Sequence, residues 1–428
     1  MDTRKLAAAF IAVSAIVTGC SSSATPSPAA TVAPTVAPTA MVATTAPTTA
    51  PTTAAAGPLS VTDFTADFSA MAKLTSITSA GSGLVGVIMP DTTSSTRWVT
   101  FDAPYLTQAF TAAGYKATDF KIDNANGSDA TELSLAQADI TNGAKVLVMA
   151  PIDSTVGGQI QAYAVSHGVA LISYDRATFQ GTNTYYVSFD NVQVGKLIGQ
   201  GFMDCVTAWN VKTPKVFTLD GGQDTDPNAI DFAKGYNSVI WGQSVAQVAD
   251  GATNSAGMTL VHEQLTPGWN NTTGGTIFSQ QYTAHPEINA TVEANDGLGN
   301  AVVNDLKGKG VPAKTVPTTG QDATLQGMEN VLQGYQCGSV YKPIYLEAQD
   351  AVAVATYVRD AQTPPASLMN GTTTDPKDAT ITEPASLLTP LWVNAANMEA
   401  TVIKDKFVSA SDLCAAVGAA ICTAAGIQ

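Results

Sequence analysis

Charge is scarce in this chain of 428 residues: only 13% are Asp, Glu, Lys or Arg. Basic residues are scarcer still, 20 against 35 acidic ones, for a formal net charge of −15. A chain so poor in Lys and Arg is a bad match for nucleic acid or an anionic membrane surface, since both are held by positive charge. Three His and five Cys leave little material for metal or His-based chemistry. Wholesale disorder is excluded by what is present, because 45% of residues are hydrophobic and can fill a large core. The length allows two or three domains.

The missing charge is concentrated in one place, with no charged residue between Lys5 and Asp63. Arg4 and Lys5 precede an apolar run from Leu6 to Val17, a signal-peptide length too short to span a bilayer comfortably. The run ends in Val17-Thr18-Gly19-Cys20, which resembles a bacterial lipobox and implies a signal peptide over 1–19 and lipidation at Cys20. In residues 21–58, 29 of 38 are Ala, Thr or Pro. Such a segment cannot bury a core, and its prolines extend it. It is expected to serve as a spacer (20–58) ahead of a short extension (59–81). No later stretch of 18 apolar residues follows.

Setting Cys20 aside leaves four Cys, an even number for an oxidising compartment. Cys414 and Cys422 would lie about 12 Å apart along one unbroken helix, too far to bridge. Gly418 between them permits a turn. The expected pairs are therefore Cys414–Cys422 and, by elimination, Cys205–Cys337.

From residue 84 onward the pattern alternates. Apolar β-branched runs (84–90, 145–151, 169–175, 184–190, 215–221, 259–265, 290–296) are separated by amphipathic stretches of helical length, after a short helix near 61–73. Near-continuous apolar strands between helices imply parallel sheets covered on both faces. Roughly ten such units exceed one ordinary sheet and imply two α/β lobes. Polar residues recur where strands end: Asp91, Asp153, Asp175 with Arg176, Asp190 with Asn191, Asn295 with Asp296. Ligands of open α/β sheets bind at that edge. Each such residue alone could instead cap a helix.

Catalytic and metal readings fail on spacing. GSGLVG (81–86) precedes its strand, so no helix N-terminus can receive a pyrophosphate. DTDPN (224–228) opens like a calcium loop, but Ala229 and Gly235 stand where Gly and Glu are required. His167, His262 and His285 are scattered, and no G-x-S-x-G elbow occurs. The sequence therefore calls for no enzyme, no cofactor and no metal.

The segments SSTRWV (94–99), 124–151, SYDR (173–176), YYVSFDNVQVG (185–195), ANDGLGNAV (294–302), TGQDATLQG (319–327), VYKPI (340–344) and LLTPLWV (387–393) together resemble the D-xylose-binding proteins of bacterial sugar ABC transporters. The wider kin are the type I periplasmic binding proteins. The resemblance runs in order from about Gly83 to Phe407. It implies two doubly wound parallel-sheet lobes joined by a three-segment hinge, with a monosaccharide bound between them. Lobe 1 would take 82–186 and 345–383, and lobe 2 would take 187–344 and 384–428, with crossings near Ser188, Pro343 and Pro384. Motif by motif it assigns ligand contacts to Arg97, Trp98, Asp175, Arg176, Asn228, Trp269, Asn295, Asp296, Asp322 and Lys342. Asn228 departs from the family pattern, because Pro227 replaces a residue with a free N–H.

These residue types suit a sugar. Planar Asp, Asn and Arg groups engage neighbouring hydroxyls, and flat indoles cover C–H faces. The resemblance implies a monomeric, extracytoplasmic, lipid-anchored protein that presents D-xylose or a related aldose to ABC permease subunits and binds no nucleic acid. Glucose- or multi-sugar-binding relatives share the same motifs. A sugar sensor that shows its closed form to a receptor is the alternative role.

Overall fold

The computed structural model describes residues 58–179 and 184–428. The leader, Cys20 and all of the spacer but its last residue lie outside the described residues. Seven strands form the first sheet: β1 (Leu84–Met89), β2 (Phe120–Asn124), β3 (Ala144–Met149), β4 (Ala170–Tyr174), β5 (Thr184–Phe189), β10 (Gly371–Thr374) and β11 (Thr382–Leu388). Their order is β10-β11-β5-β4-β3-β1-β2, parallel throughout except for the β10–β11 hairpin at the edge.

Period-two alternation decides which face each residue of this sheet serves. Val85, Val87, Val146, Val148 and Ile172 face one cluster with α2 (Ala103–Ala112) and α10 (Ile344–Arg359). Ile88, Leu147, Met149 and Leu171 face the other, with α3 (Asp129–Thr141) and α4 (Ser154–Ser166). Gly86 lies where the Asp139 carboxylate of α3 presses on the strand, and a Cβ there would collide with it.

Residues 58–80 form a strap along this lobe. The sequence pattern predicts one short helix here; the chain instead makes two 3-10 turns (Val61–Asp63 and Ser69–Leu74) and the six-residue α1 (Thr75–Ala80). Phe68 between the turns takes a left-handed conformation, which interrupts the helix. Leu59, Phe64, Phe68, Met71 and Leu74 are buried against the α10 side of the core. Ser367 donates to the Leu59 carbonyl at 2.7 Å, and Gln349 of α10 donates to the Thr65 carbonyl at 2.9 Å.

In the second lobe β6 (Lys215–Asp220) lies between β7 (Thr259–Leu265) and β8 (Ala290–Glu293), all parallel. The layer then continues through an irregular segment. Thr291 N–H donates to Pro317 O at 2.9 Å, and Val340 N–H to Gly320 O at 3.0 Å. This segment joins β8 to the pair β9 (Ser339–Tyr341) and β12 (Leu391–Val393). Helices α5 (Asn191–Ala208), α6 (Pro227–Ile240), α7 (Asn271–Ala284) and α8 (Asp296–Gly308) pack around the layer, and α9 (Leu325–Leu332) precedes β9. Helices α5 and α6 touch where Gly195 meets Gly235, since a Cβ on either would strike the other helix's backbone.

The chain crosses between lobes after Phe189, at Lys342–Pro343 and after Leu388. The last crossing differs from the one expected near Pro384. Pro384 pairs with Thr372 of β10, the β11–β5 ladder begins one residue later at Ala385, and the strand stays in the first sheet through Leu388. Beyond β12 come a wide turn (Glu399–Ile403), α11 (Ala410–Val417) and α12 (Ala419–Ala424). Both expected disulfides are present, Cys205–Cys337 and Cys414–Cys422, the latter closed by the turn at Gly418, whose φ is +93°. Among the described residues no helix is long and apolar enough to cross a membrane.

Candidate functional site

The strand-end residues divide into two groups. Asp153, Asp190 and Asn295 accept hydrogen bonds from the first-turn amides of α4, α5 and α8, so they cap helices. Asp91 folds the loop after β1 by accepting from Thr93 N–H, Ser94 N–H and the Ser94 hydroxyl. Of these four only Asn295 lines the cleft between the lobes. Asp175 and Arg176 are set differently. Asp175 has φ +61°, and Arg176 N–H closes a tight turn onto Tyr174 O at 2.7 Å. Trp269 (φ +59°) and Asp322 (φ +90°) are also left-handed. Such strain persists only where the surroundings over-determine it, and here it aims three side chains at one cavity.

That cavity has about 310 Å3 of empty space, its mouth included. Nine of the ten expected residues line it: Arg97, Trp98, Asp175, Arg176, Asn228, Trp269, Asn295, Asp322 and Lys342. Asp296 does not. As the first residue of α8 it turns inward and accepts from Thr324 N–H (2.7 Å), Ser339 Oγ (2.8 Å) and Gln336 Nε2 (2.9 Å). Burial pushes its carboxyl up to about 7 against these hydrogen bonds. It ties α8 to α9 and β9.

Asp175 is the hub. Its Oδ1 receives Arg97 Nη1 at 2.5 Å and Lys342 Nζ at 3.3 Å, and its backbone carbonyl accepts from Asn228 Nδ2 at 2.6 Å and Tyr186 Oη at 2.7 Å. Burial alone would raise the Asp175 carboxyl; the charges of Arg97, Lys342 and Arg176 outweigh it and hold the group below the usual carboxylate range. Lys342 also pairs with Asp322 at 3.4 Å.

Arg97 belongs more to the scaffold than to the cavity surface. Its guanidinium grips both oxygens of Asp102 (2.9 and 2.7 Å) and reaches Glu347 at 2.6 Å, with its side chain 1% exposed. Burial opposes its charge, and the three carboxylates more than restore it, so its proton is held beyond the ordinary arginine range. Burial pushes Glu347 upward, with Arg97 opposing. Tyr174 completes the set by donating to Asp102 at 2.7 Å.

Arg176 faces across the cleft. Nη1 donates to Pro151 O (3.2 Å), Nη2 meets Ser94 Oγ (3.4 Å), and Nε pairs with Asp226 of the second lobe at 3.3 Å. Arg97 and Arg176 both lie over the Trp98 ring, at 4.6 and 5.2 Å from its centroid. Trp269 donates to Asp226 at 3.1 Å, meets Phe232 edge-on at 6.2 Å, and covers Gly221, where any side chain would collide with the indole. A second bridge across the cleft runs from Ser95 Oγ to Asp322 Oδ2 at 3.0 Å.

Sequence reasoning missed Ser94, Ser95, Asp226, Phe232 and Gln321, which also line the cavity. Ser94, Ser95 and Gln321 sit inside the quoted motifs, next to residues that were named. Asp226 stands in the sequence within the rejected calcium-like loop and beside Asn228, and its place in the fold is as the cap of α6, with Pro227 as the first residue, a position that needs no N–H. Nothing in the sequence marks Phe232. Among the described residues no group of three or more His, Cys, Asp or Glu could hold a metal ion. The cavity lining thus offers hydrogen-bonding groups in charge balance, the cations Arg97, Arg176 and Lys342 against the carboxylates Asp175, Asp226 and Asp322.

Comparison with known proteins agrees with this architecture. The model of the periplasmic binding protein domain matches residues 85–363. The D-xylose-binding periplasmic protein of Escherichia coli (strain K12) is 32% identical over 295 residues, covering 68% of this chain and 82% of that protein. The multiple sugar-binding periplasmic protein SbpA of Azospirillum brasilense is 30% identical over 326 residues, 74% of this chain and 88% of its own length. Among solved structures, a carbohydrate transporter solute-binding protein from Chloroflexus aurantiacus in complex with D-glucose superposes with a TM-score of 0.65 at 25% identity, covering 77% of this chain and 97% of that one. The two relatives are sugar-binding proteins and the neighbour is the solute-binding protein of a carbohydrate transporter; none of the three is an enzyme. A family match over most of the two-lobed body, together with relatives at 30–32% identity, shows that the chain belongs to the periplasmic binding protein family.

Proposed function

We propose that this protein is the extracytoplasmic substrate-binding component of a sugar ABC importer, and that it takes a monosaccharide, D-xylose first among candidates, into the cleft between its lobes. The observation that carries the reading is the Asp175 hub. Groups from both lobes meet there, Arg97 and Arg176 from one side and Asn228, Asp322 and Lys342 from the other. Each hydroxyl of a sugar both donates and accepts, so it can replace either partner of a cross-cleft pair such as Ser95–Asp322 or Arg176–Asp226. Hydrogen bonds to charged groups contribute about 1.5–3 kcal/mol each. Near charge balance in the cavity favours a neutral ligand over a sugar acid. A ligand that touches both lobes stabilises the closed arrangement, which a membrane permease can then distinguish from the open one.

A glucose or multi-sugar specificity is the second reading, supported by the SbpA relative and by the glucose-bound neighbour. Titration calorimetry with D-xylose, D-glucose, L-arabinose and D-ribose separates the two. Micromolar or tighter binding of xylose with weaker glucose supports the first, and the reverse order supports the second. No heat with any monosaccharide overturns both. The Val17–Cys20 sequence and the Ala/Thr/Pro segment support a lipid anchor. Cells expressing Cys20→Ser should release the protein and lose incorporation of a fatty-acid label.

A further inference from the structure

The C-terminal segment beyond β12 packs against both lobes, on Phe101 and Tyr105 of the first and Tyr341 of the second, without lining the cavity. Phe407 is buried between two aromatic rings that belong to different lobes. On one side it stacks on Phe101, centroids 3.9 Å apart and planes at 16°. On the other it meets Tyr341 at 4.9 Å. Phe101 lies in the turn that starts at Trp98 and ends at Asp102, the residue that grips Arg97. Tyr341 is the last residue of β9, immediately before Lys342. Two residues earlier in the segment, Asp405 Oδ2 accepts from Tyr341 Oη at 3.1 Å and from Tyr345 Oη at 3.0 Å, one tyrosine on each side of the Lys342–Pro343 crossing. Tyr345 in turn meets Tyr105 of α2 edge-on at 6.2 Å. Burial and the Asp405 charge both raise the proton affinity of Tyr341 and Tyr345, so the two phenols remain donors.

We infer that this segment is a clasp across the hinge, and that Phe407 and Asp405 are positioning residues for ligand binding: they fix the Arg97-bearing turn relative to the Lys342-bearing crossing, so that both cations reach Asp175. The inference rests on the sugar-cleft reading. Neither residue contacts the cavity, and both act through the population of the closed arrangement. A ligand's apparent affinity falls in proportion to the fraction of molecules already in the competent arrangement. Loss of one stacked aromatic pair is then expected to weaken binding about five- to tenfold.

The test uses the full chain with Phe407→Leu, which keeps burial but removes the stack, and Asp405→Asn, which keeps shape but removes the charge. Calorimetry with D-xylose and D-glucose should show weaker binding in both variants. Small-angle scattering of the ligand-free protein should show a larger radius of gyration than the parent, and the curves should coincide once sugar saturates. Phe407→Tyr, which retains the ring, should restore parent affinity. A lowered melting temperature with unchanged affinity and unchanged ligand-free radius would show that the segment only stabilises the fold, and would overturn the clasp. If the parent binds no monosaccharide, the sugar reading fails on its own, and the ligand-free radii still decide whether the clasp exists.

Discussion

The two lobes are secured by different chemistry. The first holds its side of the cleft with a buried ionic network, in which Arg97 is gripped by Asp102, Glu347 and Asp175 and backed by Tyr174. The second carries a disulfide, Cys205–Cys337, that ties α5 to the residue two before β9, and the chain after the last crossing carries another, Cys414–Cys422. Its cleft residues are set by helix caps and tight turns: Asp226 and Asn295 cap helices, and Trp269 and Asp322 take left-handed backbone. A buried ion network is intolerant of losing a member, because the remaining charges stay buried and unpaired. A cap or a turn can lose its side chain at smaller cost. The first lobe thus resembles a fixed receptor half, and the second a half whose contacts can be exchanged for a ligand.

This contrast can be broken or sharpened by experiment. The largest effect is expected from Arg97→Ala. It removes the one guanidinium that three buried carboxylates share and should cost about 3–5 kcal/mol of stability, read from urea unfolding. Intact stability with lost sugar binding would instead make Arg97 a direct contact and remove the receptor-half picture. Removing the Cys205–Cys337 bridge by a double Ala substitution should cost about 2–4 kcal/mol. The loss should be confined to the second lobe, visible as faster amide exchange in α5 and β9 and unchanged exchange in β3 and β4. Arg176→Ala should weaken sugar binding by about tenfold or more, from the strength of a charged hydrogen bond. An unchanged dissociation constant would take Arg176 out of the site.

The last test concerns pH. Burial pushes the Glu293 carboxyl, at the end of β8, up to about 8. Between the unfolded value of 4.5 and about 8, the folded chain keeps a proton that the unfolded chain releases. Stability must therefore decline as pH rises through that window, and Glu293→Gln should flatten the slope. Asp175 acts oppositely at the acid end. Its carboxyl is held low, so its contribution is present above the unfolded value of 3.8 and fades as pH falls below it. A parent protein equally stable at pH 5 and pH 8 would exclude the Glu293 account.

Much of this was legible in the sequence, for reasons that differ by element. The parallel strands β1, β3 to β6 and β8 are short apolar runs buried on both faces, and such runs show themselves. The edge strand β2, FKIDN, is only half-buried and reads as polar. Strands β9 and β12 have three residues each and owe their existence to tertiary pairing. In the cleft, Arg97 was named for its motif, but its partners Asp102 and Glu347 lie five and 250 residues away, and no pattern links them. Asn295 and Asp296 are adjacent in a helix start, yet one faces the cavity and the other the interior of its lobe. Only the backbone direction separates them.

The strap of residues 58–80 has a mechanical consequence. Because Leu59, Phe64 and Phe68 are sunk into the first lobe beside α10, a pull transmitted along the preceding chain enters the molecule chiefly through that lobe. A protein held from its N-terminus would therefore keep the half bearing Arg97 stationary, leaving the half bearing Trp269 as the part that swings.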